Sequence, residues 1–218
     1  ETAPPRTAST TWRGRIDSHQ RISHDSIAGL GYDWSKVADP GVTPRYPFKV
    51  YLARSTGDVV AAIKETNALG QRLHVRSKGH SSNDLVLAEG GAVLLTQLMD
   101  GIVDFDPAAG RITVQAGATN ATADDYLAER GYGLPVVGDH KDITVGGFVS
   151  LGGISPCSHR TGLFIEHVVE LEYVDWQGQV HRCGPQNNPD EYWAVAGGLG
   201  RAGVITEATI HVHRVPQE

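Results

Sequence analysis

The sequence predicts an α+β protein in two lobes, and three observations carry that reading. A strand, a helix and two further strands follow one another between Pro47 and Asp100. From Val103 onward, alternating apolar and polar runs point to a larger mixed or antiparallel sheet with helices. Glycine-rich stretches separate these elements, and glycine occurs 26 times in 218 residues, well above the ~7% that is usual.

Each element has its own signal. FKVYLA (48–53) is a short apolar strand. Ser55 or Thr56 then offers a hydroxyl cap to DVVAAIKETNALG, whose Val59, Val60, Ile63 and Leu69 share one face and which Gly70 ends. LHVR (73–76) is a strand, KGHSSND (78–84) a loop, and AVLLTQL (92–98) the strand that completes the first lobe. In the second lobe VDFD (103–106) and RITVQAG (111–117) are strands, and NATADDYLAERG (120–131) is a helix closed by Gly131. TVGGFVSLGG (144–153) is a glycine-rich helix or tight turn. HVVELEYVDWQGQVHRCG (167–184) reads as two strands joined at Gln177-Gly178. Asn188 caps a helix with Pro189 in its first turn, and GVITEATIHVHRV (203–215) alternates as a final strand. Residues 1–44 are expected to be a partly disordered extension. One domain follows over 45–218, with lobes at about 45–100 and 101–215.

Composition narrows the functions. With 19 Lys and Arg against 25 Asp and Glu, the net charge is −6, which argues against a nucleic-acid or anionic-membrane surface. No apolar run approaches the ~20 residues of a membrane span. The chain reads as soluble, a cytoplasmic location being the expectation and secretion left open. Cys157 and Cys183 are too few for a disulfide framework and are expected to be buried thiols. His211 and His213 alternate on one face of the last strand without an evident third ligand, so a solvated face is expected there and no metal.

Three glycine motifs remain. Gly198-Leu-Gly200-Arg-Ala-Gly203 matches the GxGxxG string, but it follows a helix and enters a strand, the reverse of the dinucleotide-binding context. Arg76-Ser-Lys-Gly-His80-Ser81 leaves a strand as a tight loop. Its consecutive N–H groups suit an anion such as a pyrophosphate, or it is a surface turn with an incidental histidine. TVGGFVSLGGIS, with Gly146, Gly147, Gly152 and Gly153, fits either a backbone passing close to a flat ligand or close helix–sheet packing.

Taken in order, VRSKGHS, ITVQAG, TVGGFVSLGGIS, VVELEYVDWQGQV and GGLGRAGVIT resemble the FAD-binding (PCMH-type) domain of the vanillyl-alcohol oxidase / p-cresol methylhydroxylase flavoproteins. The resemblance runs from about Pro47 to Arg214 and is strongest to cytokinin dehydrogenases. It implies a two-lobed fold with FAD between the lobes. The loop of Arg76, Ser77, Lys78, Gly79, His80 and Ser81 would wrap the pyrophosphate with main-chain N–H groups. Thr144, Gly146 and Gly147 would pass beside the flavin, and Gly203, Val204 and Ile205 would lie near its pyrimidine edge. His80 matches the histidine that many members bond to the flavin 8α carbon; the alternative is a noncovalent FAD with His80 merely near it. Asp139, five residues before Thr144, coincides with the aspartate that takes a proton from the substrate amine beside the cofactor; the alternative is a solvated loop carboxylate.

Two departures accompany the match. Family loops often continue GHSxxG, and Asp84 stands at that glycine. Doubly linked relatives carry a cysteine where this chain has Asp142, so a second flavin link is not expected. The resemblance ends at about Arg214, where relatives begin their substrate-binding domain, so that domain is not expected within these residues. The resemblance therefore implies a FAD-dependent oxidoreductase, an oxidase or dehydrogenase taking a hydride from an alcohol or amine carbon. Its small-molecule substrate is unspecified, and oxygen or another acceptor would take the electrons. The alternatives are an FAD-carrying module that needs a partner subunit or self-association to cover an exposed ring, and a flavoprotein using FAD in a non-redox reaction.

Overall fold

The computed structural model describes residues 28–33, 41, 43–82 and 84–215. Most of the extension expected over 1–44 lies outside the described residues. The rest divides into two compact units, one taking the residues through Leu52 together with Ala61–Leu95, the other Ala53–Val60 together with the chain from Thr96.

The first unit is built on a parallel sheet of β1 (Lys49–Leu52), β2 (Leu73–Arg76) and β3 (Ala92–Leu95), in the order β1-β3-β2. Parallel neighbours cannot be joined by a tight hairpin. Here α1 (Thr56–Ala68) makes the first connection and the loop after Arg76 the second. The central strand, AVLL, is buried at every position, as a parallel strand covered on both faces requires. Ser55 caps α1: its Oγ accepts from the Asp58 N–H at 3.2 Å, and the Asp58 carboxylate accepts in return from the N–H groups of Arg54 (2.8 Å) and Ser55 (3.1 Å). The Arg54 N–H leads in holding the Asp58 carboxyl below its ordinary range. Thr56 is not the cap; its hydroxyl donates to Glu172 at 2.8 Å.

The second unit holds an antiparallel sheet of β4 (Ile102–Asp106), β5 (Arg111–Gln115), β7 (Val168–Asp175), β8 (Val180–Cys183) and β9 (Gly203–His211), ordered β4-β5-β9-β7-β8. A two-stranded ribbon pairs β6 (Tyr132–Gly133) with β10 (His213–Arg214). The helices are α2 (Asn120–Ala128), α3 (Val145–Ser150), α4 (Ser158–Thr161) and α5 (Pro189–Val195). Alternation along the strands turns Ile112, Val114, Leu171, Ala208 and Ile210 into one core with Leu127 of α2, Phe148 of α3 and Tyr192 of α5. The hairpin at Gln177-Gly178 closes on Asp175, whose carboxylate accepts from the N–H groups of Gln177 (2.9 Å) and Gln179 (2.8 Å).

Four sequence expectations are corrected. The final strand stops at His211: Val212 still donates its N–H to Gly110 at 2.9 Å, in register with β5, but the chain then changes partner and joins the ribbon with Tyr132–Gly133. His211 and His213 therefore lie in different sheets, not on one strand face. Asn188 does precede the Pro189 helix, but its side chain makes no cap bond and its backbone is left-handed, with φ 57°. The α4 turn and the 3-10 turn Phe164–His167 carry no readable period, because four residues are too few to show one. Finally, Cys183 is fully buried, whereas Cys157 is half-exposed. Among the described residues no helix is long and apolar enough to cross a membrane, and no cluster of His, Cys, Asp or Glu is placed to hold a metal.

The two thiols differ chemically as well. Hydroxyl contacts from Ser155 (2.9 Å) and then Thr161 (3.5 Å) pull the Cys157 thiol below its ordinary range, while burial, aided by Glu191, pushes Cys183 up to about 12. Iodoacetamide is expected to label Cys157 alone in the folded protein, with a rate that rises through a midpoint below the ordinary thiol value of about 8.5. Cys183 should react only after denaturation, a contrast that peptide mass mapping reads directly.

Candidate functional site

In the first unit the candidate residues form the loop that leaves β2. Arg76 is 1% exposed, and its guanidinium donates to the Tyr32 carbonyl at 2.9 Å. It also lies under Gly79, where φ is +74° and an added Cβ would come within 2.5 Å of the guanidinium. Arg76 thus shapes the loop from inside, which explains why only glycine fits above it. Ser77 Oγ is sealed from solvent and has no hydrogen-bond partner among the described residues. A buried hydroxyl left in that state is unfavourable unless a ligand or water completes it. Lys78, His80 and Ser81 are half-buried, and His80 Nε2 is sealed from solvent.

Asp84 closes the loop in the conformation a glycine would take, with φ +59°. Its N–H donates to the buried carboxylate of Asp33 at 3.2 Å, and its own carboxylate pairs with Arg45. Aspartate tolerates the left-handed region better than most residues, so the departure from GHSxxG leaves the turn intact.

In the second unit, two candidate segments meet at Ala116. Its N–H donates to Thr206 (2.9 Å), its carbonyl accepts from Gly146 (2.8 Å), and the Ala118 carbonyl accepts from Val145 (2.8 Å). A Cβ on Gly146 would lie 2.7 Å from Ala116 Cβ, so this glycine serves helix–sheet packing. Gly153 does likewise against Phe164, with 2.3 Å to its Cβ. Gly147 is different. It is exposed, and a Cβ there would meet nothing but Thr144 Oγ1 at 3.2 Å. The packing reading thus holds at Gly146 and Gly153, and Gly147 has open space above it beyond Thr144 Oγ1. Thr144 is buried at the start of α3 without a side-chain cap bond.

Gly203 lies against β7, where a Cβ would come within 2.2 Å of the Val174 carbonyl. Val204 and Ile205 put their side chains into buried positions. On the other side the β5 ladder covers only Glu207–His211 of β9, so the Gly203–Ile205 main chain stands outside that ladder. Any ligand contact there falls to backbone groups.

Asp139 sits on a loop docked against the first turn of α2. The N–H of Asn120 donates to Ile143 (2.8 Å), the N–H of Ala121 to Lys141 (3.3 Å), and the Asn120 side chain to the Val137 carbonyl (3.2 Å). Helical N–H groups that have no partner inside the helix are thus met by the loop. Asp139 itself is exposed, so its own unit supplies none of the desolvation expected for a base. The functional interest of Asn120 escaped the sequence reading, in which it was simply the first residue of a helix.

Residues 47–184 match the FAD binding domain family, and the chain belongs to that family. It is 34% identical over 166 residues to an uncharacterized oxidoreductase in the fasciation locus of Rhodococcoides fascians, covering 76% of this chain and 37% of that protein. It is 33% identical over 182 residues to cytokinin dehydrogenase 1 of Oryza sativa subsp. japonica, covering 80% and 34% respectively. The chain thus spans little more than a third of either relative. Its fold is shared with 6-hydroxy-D-nicotine oxidase from Arthrobacter nicotinovorans, with a TM-score of 0.77 at 24% identity, over 99% of this chain and 45% of that one.

Substitution at the two adjacent glycines distinguishes a packing position from an open one. Gly146→Ala is expected to cost about 1–3 kcal/mol of stability through overpacking on Ala116, measured by urea denaturation. Gly147→Ala is expected to leave stability within about 1 kcal/mol while lowering flavin absorbance per polypeptide.

Proposed function

We propose that this chain is the FAD-holding part of an oxidoreductase that takes a hydride from an amine or alcohol carbon. The observation that carries the reading is the sealed Ser77 hydroxyl, without a hydrogen-bond partner among the described residues, in a loop of a FAD binding domain. The residues fit the cofactor: the main chain of Arg76 to Ser81 would hold the pyrophosphate, and the backbone at Gly147 and at Gly203, Val204 and Ile205 would approach the ring. Arg76 contributes by filling the space beneath Gly79, and Thr144 by leading into α3, whose first N–H, that of Val145, meets the Ala118 carbonyl. Bound FAD supplies the hydride acceptor, and oxygen or another acceptor then regenerates it.

His80 is the candidate for covalent attachment. His80 would hold the flavin through a bond from an imidazole nitrogen to the 8α carbon, and forming that bond would need oxygen to take up the two protons and two electrons given up by the partners. A neutral imidazole is the form required. Asp139 is the candidate base, accepting the proton of the substrate amine or hydroxyl as the carbon is oxidised. The relatives' names make cytokinins and hydroxynicotines the first compounds to try. A cytoplasmic location is the working assignment, with secretion as the alternative.

A second reading has its own support. Leu151 (58% exposed), Ile154 (73%) and Leu199 (52%) are large apolar side chains left in solvent, and Leu199 is tied to Ser150 at the end of α3 by a 3.0 Å backbone bond. Exposed apolar surface of this kind favours a module covered by a partner subunit or a second copy.

The covalent link is tested by acid precipitation: the wild-type pellet is expected to stay yellow and the His80→Ala pellet to lose its colour. A wild-type pellet that bleaches would refute the linkage. Asp139→Asn is expected to retain FAD while slowing substrate-driven flavin reduction by about 10²–10⁴-fold, read by stopped-flow absorbance. An unchanged rate would reduce Asp139 to a surface carboxylate.

A further inference from the structure

We infer that Asn120 is a positioning residue for Asp139, an inference that rests on the reading of Asp139 as the proton acceptor. Asn120 is 1% exposed. Its Nδ2 donates to Val137 at 3.2 Å, whereas its Oδ1 is sealed from solvent with no partner among the described residues. For stability alone this is a poor choice. An apolar side chain or alanine at the same helical position would avoid the unfavourable burial of Oδ1. What the amide provides in return is a fixed Val137 carbonyl.

That carbonyl matters because, among the described residues, the only other hold on the leading side is the packing of Gly138 near Ile143 and Phe148. The chain leaves the core at Val136, 1% exposed, and returns to it at Thr144, 4% exposed. Between them the Val137 side chain is 38% exposed and so anchors nothing deeply. Lys141 and Ile143 are tied on the trailing side by the N–H groups of Ala121 and Asn120. Gly138, with φ +76°, redirects the backbone immediately after Val137. Asp139 is thus suspended between a side-chain anchor before it and two main-chain anchors after it, all three from the first two residues of α2. Removing the Asn120 amide frees the leading end and leaves the trailing end tied. A base needs to be held within a fraction of an ångström of its proton, and small displacements have large kinetic effects.

The test uses FAD-loaded protein and compares Asn120→Ala, Asp139→Asn and the double variant with wild type. Alanine is a good residue for the first turn of a helix, so thermal melting and flavin content are expected to stay close to wild type. Trypsin should cut after the exposed Lys141 about 2- to 10-fold faster in Asn120→Ala, the effect of one lost hydrogen bond on loop opening. With (R)-6-hydroxynicotine or a cytokinin as reductant, the limiting rate of flavin reduction should fall about 10- to 100-fold. The half-saturating concentration should not change. In the Asp139→Asn background the Asn120→Ala change should have no further effect, because its action passes through Asp139. Unchanged tryptic cleavage overturns the anchoring. Faster cleavage with an unaltered reduction rate, or equal effects of Asn120→Ala in both backgrounds, overturns the positioning role while leaving Asp139 as base. If Asp139→Asn reduces at the wild-type rate, the base reading fails and this inference with it. Should neither compound bleach the wild-type flavin, the tryptic comparison decides the anchoring by itself.

Discussion

The two hydrogen-bonding groups of one peptide residue govern the larger unit. Ala116 gives its N–H to Thr206 of β9 and its carbonyl to Gly146 of α3. A residue has one main-chain donor and one main-chain acceptor to assign, and here both are committed to different elements. The position of the α3 start relative to β9 is therefore decided at Ala116. Thr144 to Gly147 is held against the sheet by the Ala116 carbonyl together with the Ala118 carbonyl, while Gly203 to Ile205 is placed by its pairing with β7; the absence of a Cβ at Gly146 lets the helix come this close to Ala116.

Strands and longer helices were legible because their periods extend over enough residues to be recognised. AVLL could be read as a covered strand, and the alternation of GVITEATIH led correctly into β9. The same alternation continued falsely through Val212 to Val215. What ends the strand is a change of partner: Val212 still gives its N–H to Gly110 in register with the β5 ladder, and His213 and Arg214 then pair with Gly133 and Tyr132, a switch that leaves no mark in the local pattern. Cys157 was misread for a comparable reason: its half-exposure depends on a four-residue turn too short to have a period of its own.

The site was legible to a different degree at different residues. The loop Arg76–Ser81 is marked by glycine and hydroxyl residues that few other roles require together. The glycines at 146 and 147 looked alike as letters, and only the neighbours of an imagined Cβ distinguish them. Asn120 offered no signal because asparagine at a helix start is ordinary; its burial and its bond to Val137 come from the loop folding back on it. Where contacts are made through the main chain, side chains are free to vary, which accords with a shared fold at 24% identity.

Asp84 illustrates what a motif position encodes. The position calls for handedness of the backbone, not for smallness, and an L-aspartate meets that demand once its N–H is received by Asp33 and its carboxylate by Arg45. The requirement has moved from one achiral residue to three charged ones distributed over the chain. Positions 33, 45 and 84 are coupled in this way: a change at either partner would expose backbone strain that a glycine would not have. A pattern written in torsion angles would include this chain among loops that a pattern written in letters leaves out.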